Sequence, residues 1–275
     1  MGGDEPESVN QALHEAITQF AWDSSLTTYK TVFLVGDCPP HMDYANDINY
    51  KVSCRLAQRN DIILNTILMG NNSEAKHIWN DIAACNQGSF TQVGMNANDI
   101  AINTPYDEEI SVISVQLDES RIYYGNEYDK SVSREKISKS RYITKGSKDN
   151  VKAQRAEYNS SKAGKDSYYG KNELLENYKE KIIELESIKT EELPDVMKNM
   201  PPAEKKKYVE KQLAVRDSLN VALQTIGKKR QQFITNELSK RKAGEVDNSF
   251  SNQIYKSIQK QTEKKKIYLK SPAKF

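Results

Sequence analysis

The sequence predicts an α/β fold: a partial doubly wound parallel sheet over residues 1–120, joined to an α-helical, coiled-coil-like region. Three observations carry this. Two continuous apolar runs, 31–36 and 62–68, alternate with helical patterns in the first hundred residues. A long stripe of Leu, Ile and Val at three- and four-residue steps follows Pro201-Pro202. The charge also divides, with −12 over residues 1–130 and +14 over the rest, which suggests two regions with different tasks.

The elements follow in order. Pro6 suits a helix start, and Val9, Leu13, Ala16, Ile17 and Phe20 form one apolar stripe behind it. Thr31-Val-Phe-Leu-Val-Gly36 has the β-branched, unbroken apolar character of a strand covered on both faces. A helix is expected over 43–59, then a second buried strand at Ile62-Ile-Leu-Asn-Thr-Ile-Leu68. Ser73 can cap a third helix holding Ile78, Trp79 and Ile82, and Gly88–Gly94 frames a short third strand. Strand, helix, strand, helix, strand is the rhythm of a crossover-connected parallel sheet. Thr104-Pro105 with Asp107 marks a capped helix over 106–118.

Residues 121–170 are polar throughout and read as a linker with one loose helix near 149–163. From 171 to 275 the expectation is a helical hairpin or coiled coil with a basic tail. One helix takes Leu174 to Leu185, and a longer one runs from Pro202 past Leu238. A stripe through Leu213, Leu219, Leu223, Ile226 and Phe233 needs a hairpin partner or a second copy, so self-association through these helices is expected. Arg216 and Arg230 interrupt the stripe, and their stems should lie across it.

No apolar run approaches the roughly 20 residues that span a bilayer. The acidic start, Met1 to Glu7, lacks the pattern of a signal peptide. Cys38, Cys54 and Cys85, at spacings of 16 and 31, match no zinc or disulfide framework and read as three ordinary thiols. His14 and His77 have no ligand companions, and Trp79 reads as core. Neither Gly-x-Gly-x-x-Gly nor a Walker loop occurs. Tyr123-Tyr124 and Tyr168-Tyr169 lie near lysines and could stack bases, but no nucleic-acid motif accompanies them.

The run Val32-Phe-Leu-Val-Gly-Asp-Cys-Pro-Pro-His41, then Asn65-Thr-Ile67 and Trp79-Asn-Asp-Ile-Ala83, resembles bacterial von Willebrand factor A (VWA) domains. Gly2-Gly-Asp-Glu-Pro-Glu7 with Ala12-Leu13 is similar to their preceding loop, and the resemblance covers about residues 1–95. It implies a doubly wound sheet that serves as a protein-binding module and not as an enzyme. It further implies a divalent cation beyond the carboxyl ends of the strands. Asp37 matches one ligand position of the family, and Asp4 falls at another. The family's Asp-x-Ser-x-Ser loop has no counterpart. The resemblance therefore implies a truncated or incomplete domain whose Mg²⁺ or Mn²⁺ site is complete only with the missing N-terminal half. Cys38, Pro39, Pro40 and His41 form the expected binding loop, and the expected partner is a protein. The competing readings are a basic helical module on nucleic acid or anionic membrane, and a hydrolase using the Asp37/His41 loop.

Overall fold

The computed structural model describes residues 7–94, 99–270 and 273. The chain divides into two compact units, one of residues 1–100 with 241–275 and the other of 101–240.

The first unit is α/β. Helix α1 (Val9–Thr18) precedes strand β1 (Lys30–Gly36), followed by α2 (Tyr50–Arg59), β2 (Ile62–Met69), α3 (Ser73–Ala84) and β3 (Phe90–Val93). The three strands are parallel in the order β1-β2-β3, with Val32 opposite Leu64 and Thr66 opposite Phe90. The alternation of apolar runs and helical stripes thus produces an α/β unit with a three-stranded parallel sheet. Helix α2 is shorter than the expected 43–59, because Asn49 caps it by accepting from the Lys51 amide. That cap leaves Ala45 and Ile48 outside the helix and exposed.

Successive β2 residues point to opposite faces, so Leu64 and Leu68 share one. Leu64 packs with Leu13, Ile17, Tyr50, Ala57 and Ile82, while Leu68 packs with Val9, Ala75 and Trp79. Gly88 must be glycine, since a Cβ there would lie 1.7 Å from the Leu64 carbonyl oxygen. On the opposite face Asn65 is buried and fully employed. Its Oδ1 accepts from the Ser89 amide at 2.8 Å and from Gln261 Nε2 at 2.8 Å, and its Nδ2 donates to Thr31 Oγ1 at 2.9 Å. Gln261 belongs to α11 (Phe250–Glu263), which follows the short α10 (Ala243–Asp247). The C-terminal helix therefore belongs to the α/β unit and not to a helical hairpin.

Cys54 and Cys85 are joined by a disulfide, with Cα atoms 5.9 Å apart. This corrects the expectation of three ordinary thiols. Spacing along the chain could not show that α2 and the end of α3 lie side by side.

The second unit is all helical. Helix α4 (Asp107–Glu119) is followed by α5 (Glu127–Gly146), α6 (Asp149–Ser160), α7 (Lys162–Tyr169) and α8 (Leu174–Lys179), then by α9 (Pro202–Ser239). Residues 121–170 are thus no linker. Their helices bury small or polar residues such as Lys130, Ser140, Thr144, Ala153 and Ala156, which leave no apolar stripe in the sequence. The expected helix from Leu174 to Leu185 stops at Lys179, and three 3₁₀ turns carry the chain to α9. Leu223 and Ile226 of α9 pack against Ile110, Ile113 and Leu117 of α4 and Ala153 and Ala156 of α6. The stripe finds its partners in α4 and α6, which replaces the expected hairpin with residues C-terminal to it.

Arg216 and Arg230 do more than lie across an apolar seam. Both are at most 1% exposed and form buried ion pairs. Arg216 meets Glu173 through two guanidinium nitrogens at 2.8 and 2.9 Å, and Nε donates to Ser120 Oγ at 3.1 Å. Arg230 Nε donates to Asp107 at 2.8 Å and Nη1 to Glu157 at 3.2 Å. A third buried arginine, Arg121, pairs with Asp118 at 2.7 Å and lies over the Tyr168 ring. The Tyr168 hydroxyl donates to the same Asp118 oxygen at 2.8 Å. Burial raises the phenol pKa of Tyr168 far above its ordinary value, and the Asp118 charge adds to the shift. Burial opposes the charge on Arg216, but the Glu173 hydrogen bonds and attraction outweigh it and the pKa rises.

Two predictions follow from this packing. Leu223→Asp places a carboxylate where the native side chain is 1% exposed, which should cost several kcal/mol. The loss of helicity, read by circular dichroism, should not depend on protein concentration. A concentration-dependent melt of the native chain that vanishes in this variant would instead mean that the stripe joins two copies. Second, the raised tyrosine sets a sign for alkaline pH. The unfolded chain releases the Tyr168 proton near the ordinary value of about 10, while the folded chain retains it. This contribution is therefore complete below about pH 10 and is lost as the pH rises further. Urea midpoints measured from neutral pH upward should fall less steeply in Tyr168→Phe than in the native chain. Equal slopes would count against a buried, protonated phenol.

Candidate functional site

Strand β1 pairs with β2 along one edge. Among the described residues no strand pairs with its other edge. An open strand edge presents unpaired amides and carbonyls to whatever approaches it. The usual guards of an edge are charges and proline. Here the sequence from Thr31 to Gly36 is apolar apart from Thr31, and Lys30 is turned inward, its Nζ donating to the Asp23 carbonyl. Val35 is 58% exposed. At the C-terminal end of β1 lies a cavity of about 390 Å³, lined by Val9, Ala12, Leu34, Gly36 and Trp79, with Glu7 and Asp37 among its walls.

Local chemistry fixes the loop that follows. The Trp79 indole is fully buried and donates to the Cys38 carbonyl at 3.2 Å. It also lies close enough to Gly36 that a Cβ there would stand 3.0 Å from its ring. The segment before α1 bridges the loop in parallel: Glu7 donates its amide to the Pro39 carbonyl, and His41 donates to the Glu7 carbonyl at 3.0 Å. Asn10, 2% exposed, ties three elements together. Its Nδ2 donates to the His41 carbonyl at 2.6 Å, and its Oδ1 accepts from the Tyr50 amide at 2.9 Å.

The expected site residues are thus partly brought together. Asp37 is exposed beside the cavity, and Asp4 lies outside the described residues. Of the expected binding loop, Pro39, Pro40 and His41 are buried and Cys38 is half-buried, because the Glu7 bridge and Asn10 draw the backbone inward. What the loop offers outward is Asp37, Met42, Asp43 and Tyr44. The His41 ring stacks on Tyr44 at 3.9 Å between centroids, and its Nδ1 lies 3.0 Å from Asp43. Hydrogen bonding to His41 holds the Asp43 carboxyl below its usual range.

The described residues do not fit the divalent cation that the resemblance implies. None of them form a group of three or more His, Cys, Asp or Glu that could hold a metal ion. A hard divalent cation needs several oxygens converging on one point, and of the two expected ligands only Asp37 is described, solvent-exposed at the mouth of the cavity. His14 is half-buried near Ser53 on α2, and His77 is exposed on α3. No described helix is long and apolar enough to cross a membrane.

Asn10 and Gln261 are the residues that sequence reading missed. Each is a polar residue on a helix, and only the partner found across the fold distinguishes it from a surface amide. No family model, curated protein or solved structure matches this chain.

The Asn10 geometry predicts a specific defect. Asn10→Ala leaves the Tyr50 amide and the His41 carbonyl without that partner, at a cost of about 1–3 kcal/mol. Amide hydrogen exchange should speed up at His41 and Tyr50 well before the rest of the sheet. Uniform acceleration across β2 would show that the loop has no independent anchor.

Proposed function

We propose that the α/β unit is a VWA-like protein-binding module that acts through the open edge of β1 and is not an enzyme. The carrying observation is the juxtaposition of an unguarded apolar strand edge with the adjoining cavity. The partner is an extended segment of another protein that adds to β1 as a further strand. Main-chain hydrogen bonds along the edge supply affinity, and alternate side chains supply specificity. One apolar side chain of the partner sits against Val35, and another enters the cavity between Leu34 and Trp79. Glu7 and Asp37 at its walls favour a basic residue beside the second. In this reading Asp37 is a charge at the rim, and Mg²⁺ or Mn²⁺ would require oxygens beyond those described.

The loop chemistry weighs against turnover through the Asp37/His41 pair. The His41 ring meets Asp43, whereas Asp37 lines the cavity at the end of β1, of which His41 is not a wall. The electrostatic alternative draws on the +14 of the second half. However, two of its arginines, Arg216 and Arg230, are buried in ion pairs and are not presented to a polyanion.

The test uses peptides selected from a random-sequence display library on the immobilised full-length chain. They should compete with one another and slow exchange of the 30–36 amides. Affinity should fall by about tenfold or more in Val35→Lys, whose melting temperature should not change, since the side chain is exposed. Peptides that protect a different surface, or that bind Val35→Lys undiminished, would overturn the proposal. So would salt-sensitive binding of duplex DNA, or a turnover lost in His41→Ala.

A further inference from the structure

The helical unit holds a second cavity that the strand edge does not explain. It has a volume of about 430 Å³ and lies where α6, α7, α8 and α9 converge. That volume is within the range of small-ligand pockets, but its lining is polar: Asn159, Lys165, Tyr169, Glu176, Asn220 and Gln224 are among its walls. We propose that this cleft binds a neutral, hydroxyl-rich small molecule of the saccharide class.

Charge decides against an ionic ligand. Lys165 is already paired with Glu176 at 2.5 Å and Glu180 at 3.2 Å, and Lys179 with Asp217 at 2.6 Å. The two lysines and two carboxylates of the lining cancel, so the cleft presents no net charge to select an ion. Neutral donors and acceptors remain. Asn159 is half-buried and Gln224 exposed beside the cleft, and each side chain offers two donors and an acceptor oxygen with two lone pairs. A sugar hydroxyl donates and accepts at once, so neighbouring hydroxyls can satisfy such amides in pairs. Val221, 64% exposed at the rim, is an apolar surface for the C–H face of a ring.

The floor is rigid. Tyr169 is 6% exposed, held by the Arg216 guanidinium 4.7 Å from its ring centre and by Tyr168 at 4.8 Å. Arg216 is itself locked to Glu173. A small polar ligand gains little on leaving water, so its affinity depends on groups already in place. Such an arrangement gives the costly buried ion pairs a purpose beyond stability.

The experiment titrates the full-length ¹⁵N-labelled chain with galactose, mannose, N-acetylglucosamine and lactose, and separately with inorganic phosphate and glycine betaine. The expected result is saturable movement of the Asn159, Asn220 and Gln224 resonances by at least one sugar, insensitive to added salt. Binding should weaken by about tenfold in Gln224→Leu or Asn159→Leu. Both positions are outside the core, so folding, checked by the melt, should persist. Three results overturn the proposal: no sugar moves these resonances, phosphate or betaine moves them instead, or the variants bind sugar as well as the native chain.

Discussion

Arg216 meets Glu173 with two nitrogens on two oxygens, and both side chains are sealed from solvent. The arrangement of the helical unit depends on this contact. Removing two charges from water costs several kcal/mol for each ion, and only good geometry with further hydrogen bonds offsets it. Every neighbouring element contributes to that offset. Ser120, at the end of α4, accepts from Arg216 through its hydroxyl and its carbonyl. Glu173 caps α8 by accepting from the Glu176 amide, and it also accepts from the Ile122 amide. One carboxylate therefore fixes the start of α8, the chain after α4 and the rotation of α9. If the pair shifts, all three lose their alignment.

The same logic applies at smaller scale in the α/β unit, with amides in place of charges. Asn65 in the central strand and Gln261 on α11 exchange donors and acceptors within a buried space. A hydrophobic residue at either position would remove both bonds of the exchange, which help to place α11 on the sheet. Asn10 does likewise for the loop after β1. Neutral amides suffice because the apolar core formed by Leu13, Ile62, Leu64 and Ile82 already holds the layers together. The polar contacts select one arrangement among several that would bury similar apolar area.

The sheet was legible in the sequence, and the helical unit largely was not. A parallel strand buried on both faces appears as a continuous apolar run, so 31–36 and 62–68 stood out. Asp107 was also legible, since its carboxylate bonds back to Thr104 at the start of α4. Helices α5 and α6 bury Lys130, Ser140, Thr144, Asn150 and Ala153, so hydropathy periodicity misses them and polar composition suggests a linker. Arg216 and Arg230 were visible as breaks in a stripe. Their partners lie 43 and 123 residues away, a separation that no local pattern encodes. The disulfide failed to appear for the same reason. At the candidate site the position of Asp37, directly after the run 31–36, follows from the strand pattern. The inward turn of Pro39, Pro40 and His41 depends on Asn10 and the Glu7 bridge, which belong to another element.

The two units spend their polar residues in opposite ways, and this bears on what each can do. In the α/β unit the buried amides of Asn10 and Asn65 are consumed in holding the loop and sheet, and among the described residues no strand pairs with the outer edge of β1. Such a surface recognises chain direction and side-chain alternation, which are properties of another polypeptide. In the helical unit a cleft is walled by side-chain amides such as Asn159, Asn220 and Gln224. That surface recognises the local geometry of donors and acceptors, which is a property of a small polar molecule. The difference arises from secondary structure itself. A sheet exposes main chain at its edges, while a helix exposes only side chains, so the two units present different chemistry to their surroundings.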